Sequence, residues 1–176
     1  LVTTTEAAVL QSAFGDAYQS VPAVSVSQSQ VVYYRPGTPG ERAAPAFVYV
    51  DKEFHVGLLP GGYTVFCIAP GRHGLSSVLG DEPRYAGKTV QPGVRLEPGK
   101  THFIRVSDAG SLEPQLMDRE AAERELAGTL RQVHVVSRAS AVNACDYVQT
   151  PEVRSYSFSS DMLFGFGKYS REDIRD

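Results

Sequence analysis

Six of the eleven prolines in this chain are followed directly by glycine, at Pro36-Gly37, Pro39-Gly40, Pro60-Gly61, Pro70-Gly71, Pro92-Gly93 and Pro98-Gly99. Proline presets φ for the second position of a turn and glycine accepts a positive φ at the third, so each step ends one element and starts another. Between the steps lie short runs rich in Val, Tyr, Phe and Ile, at 31–34, 47–50, 63–68, 74–79, 94–96 and 102–106. Short β-favouring runs closed by turns at this spacing predict a mainly β protein, an antiparallel β-sandwich of immunoglobulin-like or transthyretin-like kind.

Two stretches carry helical spacing instead. Asp118 is a suitable N-cap for a helix over 119–130, in which Ala122, Leu126 and Leu130 recur every four residues and Glu120 pairs with Arg124. Near the start, Thr3 and Glu6 have capping-box spacing ahead of Leu10, Phe14 and Tyr18, which predicts a second short helix with Gly15 as its weak point. Residues 20–30 alternate Ser and Gln with Val and are expected to be an extended linker or a strand with one polar face, with the chemistry of a connector. A further short strand is expected over 132–136, followed by a loop over 137–150 that carries Cys145.

At 176 residues the chain has the length of one domain with extensions. The expected division is a helical N-terminal extension over 1–22, a sandwich over 23–154, and a separate tail over 155–176. The formal charge of −3 comes with Lys and Arg scattered singly among acids, so no basic stripe is available for a phosphate backbone and nucleic acid is not an expected partner. No run approaches the ~18 apolar residues of a spanning helix. Membrane attachment would therefore need a lipid anchor upstream of Leu1, where a signal peptide would also have stood, or another segment outside this sequence.

Chemistry is hard to find in the residue pattern. His55, His73, His102 and His134 sit one per segment without the spacing of a metal site, and no cofactor is expected. Gly74-Leu75-Ser76-Ser77 lacks the second glycine of a nucleophile elbow and reads as strand, while Pro60-Gly61-Gly62 is turn chemistry and not a phosphate cradle. Cys67 followed by His73 does not by itself make a thiol nucleophile. The chain is expected not to be an enzyme. Tyr33, Tyr34, Tyr49, Phe54, Tyr63, Phe66 and Phe103 form either core or a stacking platform for a sugar or peptide, and strand alternation should send about half of them inward. Cys67 and Cys145 lack C-x-x-C spacing, which leaves one long-range disulfide or two buried thiols.

The tail adds a resemblance. Tyr156-Ser157-Phe158-Ser159-Ser160-Asp161-Met162-Leu163-Phe164-Gly165-Phe166-Gly167-Lys168, followed by Glu172-Asp173-Ile174, resembles the opening strand and turn of the OmpA-like peptidoglycan-binding domain. Its core is Asp161-x-Leu163-Phe164-x-Phe166-x-Lys168, with Ser160 where that family often has Ala. No cell-wall-contacting residue of the family maps onto a position of this sequence. The resemblance implies a Gram-negative envelope protein, periplasmic and associated with the outer membrane, whose downstream domain would hold peptidoglycan. This chain would be a non-catalytic module of such a protein, a lipoprotein if an anchor precedes it, with another envelope protein as a further possible partner. The export so implied favours the Cys67–Cys145 disulfide. A second function class stays open, an exported saccharide-binding or peptide-binding module.

The middle of the chain has its own resemblance. Val48-Tyr49-Val50-Asp51-Lys52, Gly57-x-Leu59, Gly62-Tyr63, Pro70-Gly71-x-His73 and Leu96-x-Pro98-Gly99-Lys100-Thr101-x-Phe103 are similar, in this order, to small β-sandwich domains of envelope lipoproteins. That family brings no established active site.

Overall fold

The computed structural model describes residues 13–80, 92–107, 113–133 and 137–148. Among these residues ten strands and one helix follow in chain order: β1 (Phe14–Ala17), β2 (Ser29–Tyr34), β3 (Ala46–Val50), β4 (Glu53–Leu58), β5 (Gly62–Ile68), β6 (Gly71–Leu79), β7 (Gly93–Leu96), β8 (Thr101–Arg105), β9 (Gln115–Met117), α1 (Arg119–Leu126) and β10 (Leu130–Gln132). They build two sheets, one ordered β1-β10-β5-β2-β8-β9 and the other β4-β3-β6-β7. The protein is a mainly β sandwich.

Strand alternation divides the apolar residues between two cores. Val31 and Tyr33 of β2, Phe66 and Ile68 of β5, and Ile104 of β8 face Ala46, Val48, Val50, Val56, Leu58, Leu75, Val94 and Leu96 of the other sheet. Val32, Tyr34, Tyr63 and Phe103 point the opposite way and are covered by Ala122 and Leu126 of α1. β2 is thus buried on both faces along its whole length. That is why 31–34 reads as an unbroken apolar run and not as an alternating one.

The sandwich is rich in antiparallel pairs but mixed, because β2 lies parallel to β8 and β10 parallel to β5. Between β2 and β8 the chain builds the second sheet and β5, then re-enters the first sheet from the end at which β2 began. Five of the six Pro-Gly glycines, at 37, 40, 61, 71 and 99, have positive φ as their turns require. The sixth, Gly93, instead opens β7 opposite Gly74. The β3–β4 hairpin turns through Asp51 and Lys52, with φ of 48° and 70°, the left-handed pair that suits the twist of a two-residue hairpin loop.

Several expectations are corrected. Phe14–Ala17 is a strand, not the end of a helix: it pairs with β10, and the part of the predicted helix before Ala13 lies outside the described residues. The predicted helix over 119–130 ends at Leu126, after which Gly128 reverses the chain at φ 88° and Leu130 becomes sheet. The strand expected over 132–136 therefore begins earlier, at Leu130, while 134–136 lies outside the described residues. Ser29 and Gln30 of the expected connector belong to β2. β4 and β9 are additional strands. The loop over 137–148 is confirmed, whereas the tail motif at Asp161, Leu163, Phe164, Phe166 and Lys168 falls outside the described residues.

α1 is fixed at both ends and along one side. Asp118 Oδ1 accepts from Ala121 N at 2.8 Å, as its N-cap role predicts. Glu125 Oε1 accepts from the Tyr34 hydroxyl at 2.7 Å and from Arg105 Nε at 3.1 Å, and Glu123 Oε2 accepts from the Tyr18 hydroxyl at 2.6 Å. These bonds hold the helix over β2 and β8 and tie it to the chain after β1.

Candidate functional site

Cys67 and Cys145 are joined by a disulfide, with their Cα atoms 5.0 Å apart. Cys67 N donates to Asn143 O at 3.0 Å, and Asn143 N donates back to Cys67 O at 2.7 Å, so the bridge is laid alongside a short backbone pairing. The same segment then crosses to the chain before β2, where Ser25 N bonds Asp146 O and Val148 N bonds Ala23 O, both at 3.0 Å. Residues 143–148 are thereby clamped over one edge of the larger sheet, and Tyr147 is set in place among them.

A half-open cavity of about 430 Å³ lies at that edge. Tyr63 and Val65 of β5 form its floor, and Asp16 and Arg131 bring opposite charges from the paired strands β1 and β10. The connector at Gln19, Ser20 and Pro22 makes one wall and Tyr147 contributes to the other. Tyr63 is only 4% exposed. Its ring stands edge-on to Tyr18 at 5.3 Å, and burial, opposed by the nearby Arg131 charge, raises the phenol above its ordinary pKa. A second cavity of about 490 Å³ shares Val65 and Arg131 and continues past His55, Thr64 and Ser137. Both lie along the stretch of β5 between the Arg131–Tyr63 pairing and the Asn143–Cys67 bridge.

The histidines go to separate tasks. His73 places Nδ1 2.7 Å from Asp51 Oδ2 and Nε2 2.7 Å from Ala69 O, while Gly74 N donates to Asp51 Oδ1 at 2.9 Å. The Asp-Lys turn and the Pro-Gly-x-His element of the sequence are therefore one unit, in which His73 ties the β3–β4 hairpin to the β5–β6 turn. His102 Nε2 accepts from Glu97 N at 3.0 Å across the β7–β8 turn, and burial lowers its pKa. His134 lies outside the described residues. Among the described residues no three His, Cys, Asp or Glu converge as a metal site would require. Cys67 is committed to the disulfide, and Ser76 and Ser77 are interior residues of β6, as their sequence context predicts.

His55 is the least ordinary of the four. It is 4% exposed, its ring meets Phe66 edge-on at 4.7 Å, and its Nδ1 lies 2.9 Å from Ser137 Oγ. Among the described residues Nε2 faces only the Thr64 hydroxyl, at 3.5 Å, and none of their carboxylates stands behind the ring as in a catalytic triad. Ser137 Oγ also accepts from Ala139 N at 3.1 Å, which makes it a turn residue. Desolvation lowers the imidazole pKa from 6.5 to about 4. The unfolded chain therefore binds the extra proton first as pH falls. Stability is expected to be full above pH 6.5 and to decline toward pH 4, by about 3 kcal/mol in all. Urea midpoints across that range should show the decline, and His55→Gln should flatten it; an unchanged slope in the variant would assign the acid sensitivity elsewhere.

Of the seven aromatics singled out in the sequence, Tyr33, Tyr34, Tyr49, Tyr63, Phe66 and Phe103 are buried, and Phe54 is partly so. More than the expected half point into core, because both faces of the β2 sheet are covered. Sequence reasoning missed the grouping of Asp16, Tyr63, Arg131 and Tyr147. No local signal joins them, since the parallel β10–β5 pairing and the Val24–Tyr147 bridge bring them together. Comparison with protein-family models, curated proteins and solved structures gives no match, so the site is described by its own geometry.

Proposed function

We propose that this chain is a non-catalytic module of an OmpA-family, outer-membrane-associated protein, located in the periplasm, where the parent protein helps to tether the envelope to peptidoglycan. The observation that carries the proposal is how the last described segment is held. The Cys67–Cys145 disulfide and the pairings of 143–148 fasten the last described segment to β5 and to the chain before β2. A segment fastened in this way, about a dozen residues ahead of the Asp161-x-Leu163-Phe164-x-Phe166-x-Lys168 motif in the sequence, suits a spacer that passes force to a following domain. A disulfide also suits an oxidising compartment. The burial of nearly all the aromatics favours a spacer over a broad stacking platform.

In its native cell the protein carrying this chain is expected to fractionate with the envelope and to sediment with purified peptidoglycan sacculi through sequence beyond Asp176. Recovery in the cytosolic fraction, or failure to sediment, would overturn the proposal.

A further inference from the structure

We propose that the half-open cavity between β1, β10 and β5 is a binding site for a neutral saccharide unit. Its volume, about 430 Å³, is in the range of small-molecule sites. Tyr63 supplies the first pointer to a ligand. The residue is 96% buried by its 4% exposure, it lines the cavity, and among the described residues its hydroxyl makes no hydrogen bond. Its oxygen is not one of the fully buried side-chain atoms without a partner, so solvent reaches it, and a phenol that no described side chain occupies is available to a polar guest.

The charges define the guest further. Asp16 offers only acceptors and Arg131 only donors, and among the described residues neither enters an ion pair although their strands are paired. Ala17, which follows Asp16, lies opposite Leu130, which precedes Arg131, so the two charged residues lie near one another across an irregular stretch of the β1–β10 pairing. An anion there would meet Asp16 and a cation would meet Arg131. A sugar hydroxyl can donate to the first while accepting from the second, and it leaves the net charge unchanged. The Tyr63 hydroxyl and the side chains of Gln19 and Ser20 can act in either sense toward further hydroxyls. Val65, Pro22 and the Tyr147 ring give the apolar surface that suits the C–H face of a pyranose.

The site is independent of the envelope proposal, because it uses only the described sandwich. The test is an NMR titration of the full chain with glucose, galactose, mannose and N-acetylglucosamine, with glycylglycine as a zwitterionic probe and inorganic phosphate as an anionic one. At least one sugar should give saturable shifts at the Arg131 side chain and the Tyr63 ring, with millimolar affinity. Tyr63→Phe removes only the hydroxyl and should weaken binding about tenfold. Arg131→Met, at an exposed position, should abolish it while the melting temperature stays unchanged. Absence of saturation by any of the sugars, shifts that persist unaltered in both variants, or saturation by glycylglycine or phosphate in place of sugar would each overturn the assignment.

Discussion

Loss of the Cys67–Cys145 bridge is expected to lower the unfolding free energy by about 4 kcal/mol, a large part of the total for a domain of this size. The two cysteines are 78 residues apart, so the bridge closes a loop long enough to restrict the unfolded chain severely. In the folded state it secures 143–148, a segment otherwise held by a handful of backbone bonds. Urea unfolding of the oxidised protein should give a midpoint well above that of the same protein under reductant, and Cys67→Ala with Cys145→Ala should match the reduced form. The reduced protein should also expose Tyr147 and weaken sugar binding at the adjacent cavity. Equal midpoints with and without reductant, or recovery of both thiols alkylated from unreduced native-source protein, would count against the bridge.

The elements most legible in the sequence are those with local causes. Val31 to Tyr34, five of the six Pro-Gly turns and the Asp118 cap each follow from residues within a few positions, and each is found where those residues place it. Errors arise where tertiary contacts override spacing. Phe14 and Tyr18 are four apart as in a helix, yet Phe14 is buried in an edge strand while Tyr18 turns to Glu123 and Tyr63. Leu130 keeps the period of α1 but follows Gly128, which breaks the helix, and its N–H bonds Gly61 O at 2.9 Å. β4 is hidden because His55 and Gly57 interrupt its apolar character and a bulge shifts its register between Val48 and Tyr49. The Cys67–Cys145 pair was readable as a choice between two states. The cavity residues were not, because Asp16 and Arg131 become neighbours only when the start of the chain pairs with its later part.

Gly61 is where sequence, turn and site meet, and Gly61→Ala is expected to destabilise the protein by about 3 kcal/mol or more. Its φ is 73°, a conformation that costs an L side chain about 1 kcal/mol. A Cβ at this position would stand 2.5 Å from both the backbone nitrogen and the Cδ of Pro39, atoms of a rigid ring in a second Pro-Gly turn that cannot swing aside as a flexible side chain would. The backbone here is also engaged: Gly61 N donates to Arg35 O at 2.9 Å, and Gly61 O receives Leu130 N, the bond that starts the parallel β10–β5 pairing. Displacing Gly61 should therefore loosen β10 and move Arg131 away from Tyr63, so sugar binding should fall along with the melting temperature. Gly128→Ala separates the two causes, because Gly128 has a comparable φ of 88° with nothing within 4 Å of its would-be Cβ. That variant should lose only about 1 kcal/mol. Equal losses in the two variants would mean that the backbone angle alone sets the cost and that the packing of Pro39 on Gly61 contributes nothing measurable.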